Sequence, residues 1–357
     1  MENILSFILY IIIYLISAIL MTRSIKKKRK VLFIIALLIP VIFASLRYCV
    51  GTDYENYHYT YINYSHLSIK DFLKIGVNNP GLFLIIKIAS TIGNEKTFFG
   101  LCALIIYWIF IIRIKKDYEK YSLFLLIFLF LMQPFTNGFN IIRQTIAISI
   151  SFANFQNIYD RKLKKFMLLL FIAMVFHVTA IVTLPMYFLY SENKKSPYSW
   201  KSIFIVLFSI IIFSNIQLIF PMLSKLSFLS QYSSYLSSTA TVGSNASLLL
   251  KSIVILFILI FKRNLEKHDK KNSFLIMLLL ISLSLELTGF FSAFIKRLSM
   301  YYYSIPSILL LSQIPKVVKS SRNKLLMYLG IFTYAILLFF ISYVIFKQSN
   351  IIPYRIK

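Results

Sequence analysis

Four segments of this 357-residue chain hold side chains whose types and spacing could do chemistry. In the first, Arg47 follows an apolar run and Asp53 lies six residues on, with Gly51 between them. The guanidinium can hold an anionic group at headgroup level, and Gly51 permits the tight turn that carries Asp53 back toward a membrane surface. Asp53 is then a candidate base or ligand orienter. The same residues also fit a plainer arrangement, with Arg47 snorkelling and Asp53 capping a helix that begins near Tyr54. Tyr54, Tyr57, Tyr59, Tyr61 and Tyr64 follow closely. Their aromatic faces with a polar tip suit sugar rings as well as the headgroup zone, and interface anchoring accounts for most of them.

In the second segment Asn140, Gln144, Ala147, Ser151 and Asn154 recur at spacings of four and three, one small and polar helix stripe. Such a stripe faces protein or water, and its last three members read as a packing seam. Arg143 differs, because a charge within the hydrocarbon costs about 2.5–3.5 kcal/mol and is retained for a pathway or ligand. Its planar fork fits phosphate oxygens two at a time. The third segment, Phe176-His177-Val178-Thr179-Ala180, offers an imidazole suited to act as general base toward a hydroxyl, although a lone histidine among apolar neighbours also fits a core role. In the fourth, Glu286, Thr288 and Gly289 precede Lys296 and Arg297, with Tyr301 one helical turn beyond the arginine. Arg297 either clamps a diphosphate or snorkels beside an aromatic belt.

The elements that position these residues must be membrane helices. The chain is 59% hydrophobic and 14% charged, against roughly 45–50% and about 25% in soluble domains. Its 39 Lys and Arg against 12 Asp and Glu give a net charge of +27. In a soluble chain that would point to nucleic acid; here 26 of the 39 cations fall in six short segments between apolar runs, as expected of loops held on the cytoplasmic side. These are Arg23 to Lys30, Arg113 to Lys120, Arg161 to Lys165, Lys194 to Lys201, Lys262 to Lys271 and Lys316 to Lys324. Cys49 and Cys102 lie in different contexts and suggest no disulfide framework, no metal-spaced Cys/His cluster is visible, and Ile4 to Met21 reads as a retained helix.

With those loops inside, the segments around 47–80, 133–142, 221–247 and 291–297 and both termini face outward. Every chemical candidate then lies on or near one face. The run Phe166 to Leu189 separates two cationic loops and so must break, with two half-length pieces meeting near His177; one long tilted helix is the alternative. Gly81 to Gly93 is short and interrupted by Lys87, which predicts an interfacial or re-entrant helix. The expected fold is all-α, a single multi-pass domain over 1–357 with about 12 crossings, and Pro221 to Ser247 is a candidate lid.

Gly51-Thr52-Asp53-Tyr54 behind Arg47, Arg143-Gln144 within Asn140 to Ala147, Phe176 to Ala180 and the late Arg297 together resemble the EpsG family of Wzy-like polysaccharide polymerases, in order over about Arg47 to Tyr303. The resemblance implies a multi-pass membrane protein similar to C-type glycosyltransferases and O-antigen ligases. It would join oligosaccharide repeat units carried on undecaprenyl diphosphate, at the outer leaflet of the bacterial cytoplasmic membrane, for capsule or exopolysaccharide. It also implies no cofactor, nucleotide sugar or obligatory metal, and partners among membrane lipids, flippase and chain-length regulator proteins, not nucleic acid. Arg143, Arg297 and Arg47 would stabilise the leaving diphosphate, His177 or Asp53 would take the proton, and Tyr54, Asn140, Gln144 and Tyr301 would line the substrate. One departure is Asn79, which stands before Pro80-Gly81 where the resemblance implies an acidic residue.

Two other classes fit a membrane chain with charged outward residues. A transporter or flippase for lipid-linked oligosaccharide predicts an internal repeat with interrupted helices in matching halves, and none is visible. A glycan-modifying acyltransferase would also use a histidine, but there is no His-rich cytoplasmic cluster.

Overall fold

The structure, a computed structural model, describes residues 1–75, 79–190, 245–288 and 293–356. The cationic cluster Lys194 to Lys201, the run expected over 202–220, and nearly all of the 221–247 loop lie outside the described residues, as does Gly289. What is described is helical, without a strand; an isolated bridge pairs Arg47 with Ile356.

In chain order the helices are α1 (Glu2–Lys27), α2 (Lys30–Leu46), α3 (Tyr54–His66), α4 (Ile69–Ile75), α5 (Pro80–Ile92), α6 (Glu95–Lys115), α7 (Leu123–Phe130), α8 (Ile142–Tyr159), α9 (Leu163–Phe176) and α10 (Leu184–Leu189). After the gap come α11 (Asn245–Ile260), α12 (Lys262–His268), α13 (Asn272–Thr288), α14 (Ala293–Val317) and α15 (Ser321–Phe339). Among the described residues, three helical stretches are long and apolar enough to cross a membrane: Glu2–Lys27, Glu95–Lys115 and Ser321–Ile345. Other apolar helices have 10–17 residues, shorter than the roughly 20 that a flat crossing asks for.

The contacts divide the chain into two compact units, one of Met1–Asn154, Leu168–Ala180 and Val318–Lys357, the other of Phe155–Met167 and Ile181–Val317. In the first, α1 packs on α2 and α7, and α2 and α5 pack on α6. Lipid supplies no hydrophobic drive between helices, so close packing and buried hydroxyls hold them. Tyr14 Oη and Thr136 Oγ1 share a hydrogen bond at 2.9 Å, and Ser17 donates to the Ala36 carbonyl at 2.8 Å. Pro134 has no N–H to continue the α ladder, and α7 passes into a π-helical turn over Leu131–Phe135.

The C-terminal segment returns across this unit. The backbone N–H groups of Tyr48, Gly51 and Thr52 donate to the carbonyls of Arg355, Asn350 and Ser349 at 2.8, 3.0 and 2.9 Å. Tyr354 stacks on Phe43 at 4.1 Å and donates to its carbonyl at 2.6 Å. Ser6 near the other terminus accepts from the Tyr354 N–H at 3.0 Å. Both termini therefore lie at the end of the unit that carries Arg47 to Asp53.

The run from 166 to 189 is broken. α9 ends at Phe176, a 3-10 turn follows over Val178–Thr183, and α10 is short. The chain then comes back on itself: Arg161 donates to the Tyr187 carbonyl at 2.5 Å and Tyr187 Oη donates to the Arg161 carbonyl at 2.9 Å. His177 thus stands at the reversal between two half-length pieces. α5, the expected interfacial or re-entrant piece, spans 13 residues, about 20 Å. Its Lys87 bonds the Ser65 carbonyl at the end of α3 at 2.9 Å.

Candidate active site

Gly51 lies in the turn between α2 and α3 at φ +101°, a left-handed conformation, and a Cβ there would stand 2.7 Å from the Phe139 carbonyl oxygen. Both the turn and the close approach require glycine. The turn is braced from the 137–140 segment, where Asn140 Oδ1 accepts from the Thr52 hydroxyl and the Asp53 N–H, each at 2.8 Å. Asn140, expected to line the substrate, instead spends its carbonyl oxygen on this brace. Asp53 stands at the N-cap of α3 without a side-chain capping bond, so the plainer role considered for it is not the one observed.

Four residues past Asp53, on the same face of α3, Tyr57 is buried and its hydroxyl is hydrogen-bonded to Arg143. Burial pushes the Tyr57 hydroxyl above its usual range; Arg143 pulls it down and the Asp53 charge pushes it up. Arg143 sits in the first turn of α8, where the helix dipole disfavours a cation by about 0.3–1 kcal/mol. Its guanidinium also donates to Asn79 Oδ1, 64 residues away in sequence. Both partners are neutral, so they orient the cation without pairing it with an opposite charge. Asn79 itself holds a left-handed conformation at φ 57°, just before Pro80 starts α5.

The Pro80-Gly81 start of α5 brings in the third segment. A Cβ on Gly81 would lie 2.6 Å from the Phe176 ring, so only glycine lets that ring close over the helix. Phe176 precedes His177, whose carbonyl accepts from the Ala180 N–H at 2.9 Å as the chain reverses. Tyr57, Asn79 and Arg143 are thus linked directly, Asp53 lies one helical turn before Tyr57, and His177 follows Phe176, whose ring packs on Gly81.

Arg47 has different surroundings. It is 3% exposed, and its guanidinium lies between the rings of Phe99 and Phe139, 4.5 and 4.7 Å from their centres. Beside it is a cavity with room for about one water, lined by Cys102, Ile106, Phe135, Gly138 and Ile142 among others. Its Nε makes no hydrogen bond among the described residues. Burial pushes the guanidinium down to about 10, which leaves it a cation at neutral pH. Tyr54, also 5% exposed, stacks on Phe99 at 5.1 Å, and His58 bonds Glu95 at 2.8 Å; together they fix α3 across the start of α6. Gln144 is buried on α8.

Arg297 and Tyr301 belong to the second unit, the arginine exposed and the tyrosine 3% exposed on α14. Among the described residues no three of His, Cys, Asp and Glu gather where they could hold a metal ion. Sequence reasoning missed Tyr57 and Asn79 as partners of Arg143. The i, i+4 relation of Tyr57 to Asp53 could have marked the first, and nothing local marks the second.

The unit thus gathers a guanidinium oriented by two neutral partners, the Asp53 turn and the reversal that carries His177, an arrangement able to hold an anionic group near candidate proton acceptors. No curated protein and no solved structure matches the chain. The segments that build this arrangement do fall within one family's pattern, whose model matches residues 30–356, nearly the whole length, and the chain belongs to the EpsG family.

Proposed function

We propose that this protein is a polysaccharide polymerase that joins oligosaccharide repeat units carried on undecaprenyl diphosphate, at the outer face of the bacterial cytoplasmic membrane, for capsule or exopolysaccharide. Family membership supports polysaccharide polymerisation in general. The observation that carries the finer reading is the Arg143 fork, held by the neutral side chains of Asn79 and Tyr57. A guanidinium whose hydrogen-bond partners are neutral, at a helix N-terminus near the membrane boundary, suits an anionic ligand, and a diphosphate fits its planar donors.

In the reaction, an acceptor sugar hydroxyl oxygen forms a bond to the donor's anomeric carbon. The bond from that carbon to the diphosphate oxygen breaks, and its electron pair leaves on the diphosphate. Arg143 stabilises the charge that develops there. His177 takes the hydroxyl proton as general base, and Asp53 orients the sugar. No cofactor takes part. The chain crosses the membrane about 12 times in the manner of C-type glycosyltransferases, and a flippase and a chain-length regulator are its natural partners.

The test is a deletion strain. It should accumulate single lipid-linked repeat units on the outer leaflet, with no longer glycan. Accumulation on the inner leaflet would instead assign the protein to transport.

A further inference from the structure

The second unit holds a charged cluster that this chemistry leaves unused. Glu286 of α13 has a side chain 1% exposed, and groups from two other helices converge on it. Lys251 of α11 and Ser299 of α14 donate to its Oε2 at 2.5 and 2.7 Å, and Ser247 of α11 donates to Oε1 at 2.8 Å. Lys251 also donates to Ser299 Oγ at 3.0 Å, and its ammonium lies 5.3 Å from the centre of the Tyr303 ring. Its charge is matched and its donors are engaged.

Lys296 of α14 is not matched in this way. Its Nζ comes no closer to Glu286 than 3.7 Å, beyond hydrogen-bond reach, and among the described residues it donates no hydrogen bond. Three quarters of its side chain is covered. Two ammonium groups share one carboxylate, so among the described residues the Lys251–Glu286–Lys296 cluster carries one surplus positive charge. Ionisable groups placed among apolar helices are usually retained for a ligand.

Polymerisation brings together two lipid-borne diphosphates, the donor's and the acceptor's, and the Arg143 seat takes one. We infer that Lys296, steadied beside the Lys251–Glu286 pair and flanked by Arg297, seats the second lipid-borne phosphate group, the diphosphate of the incoming acceptor. The inference rests on the polymerase reading. Glu286 faces the lysines and is fully enclosed, so it anchors them and does not meet the ligand. A phospholipid headgroup would offer the same phosphate chemistry, and the experiment separates the two.

The full-length protein in phosphatidylcholine nanodiscs is titrated with farnesyl diphosphate, and bound equivalents are counted by native mass spectrometry. The wild type should bind two. K296Q should bind one tightly and the other about tenfold or more weakly, as expected for loss of a charge-assisted contact, while K296R keeps both. R143A should lose the other equivalent. In K296Q the carboxylate keeps Lys251 and both serines, so its melting curve should match the wild type. A wild type that binds a single equivalent overturns the proposal whatever the variants do. So does K296Q binding both undiminished, or K296Q losing only phosphatidylglycerol in doped discs. If R143A keeps both equivalents while K296Q loses one, the Lys296 seat stands and the Arg143 assignment falls.

Discussion

Arg47 and Arg143 both lie within electrostatic reach of Tyr57, in the same compact unit, and both have side chains able to bind phosphate. Arg47 is enclosed by two phenylalanine rings, with no carboxylate and no hydrogen bond at Nε. Arg143 is half-buried and held by the amide of Asn79 and the hydroxyl of Tyr57. The aromatic faces offset part of Arg47's desolvation, but they also occupy the faces of its guanidinium and shut it from ligands. The polar partners of Arg143 fix its direction and leave charge for something else. Accessibility and partner type, not the presence of a guanidinium, distinguish the surroundings of the two arginines.

The largest effect expected from this contrast is at Arg143. R143A should lower polymer formation by about 10²–10³-fold, the range for removing one preorganised charge stabiliser, while membrane insertion stays normal. R143K should recover little, because an ammonium cannot reproduce the fork. Full-length glycan from either variant would remove Arg143 from the site. Next is N79D, which places a carboxylate against the guanidinium and should cut polymer yield about tenfold, whereas N79A should cost only a few-fold. Equal yields from the two variants would mean that Asn79's neutrality is irrelevant.

R47M sharpens the other side of the comparison. Replacing a buried, unpaired cation with an apolar chain of similar volume should leave activity within about twofold and stability unchanged or higher by roughly 1–4 kcal/mol, read from a detergent melting curve. An activity loss matching R143A, with the fold intact, would put Arg47 on the diphosphate after all. A different kind of effect, on the turn itself, is expected at Gly51. G51A should cost about 1–3 kcal/mol of stability through its positive φ and the nearby Phe139 carbonyl, with a partial loss of activity as Asp53 shifts. A wild-type melting curve for G51A would show that the turn tolerates a side chain.

Much of the site could be read in the residues. Gly51 and Asp53 marked the turn, Arg143 stood out as a charge in an apolar run, and two cationic loops on either side of 166–189 required the break that occurs at His177. These signals are local or come from the alternation of apolar and basic segments. The partners were not legible. Asn140 braces a turn 87 residues earlier, and Asn79 meets Arg143 across 64 residues. The residues 349–356 carried no sign that they would pair with 47–52. Lys251 and Glu286 each interrupted an apolar run, but their pairing depends on how α11, α13 and α14 pack.

By itself the sequence determined that this is a helical membrane chain, which segments turn, and which side chains could bear charge or take a proton. Hydropathy and the cost of charge in hydrocarbon act on short stretches and can be read along the chain. Only the tertiary structure decided what surrounds each of those groups. Whether an arginine is enclosed by rings or held by an amide depends on residues brought together from distant helices, and close packing, which leaves few spare voids, makes that choice. Arg47 and Arg143 are the same residue type. Their neighbours make one a buried support and the other an oriented cation.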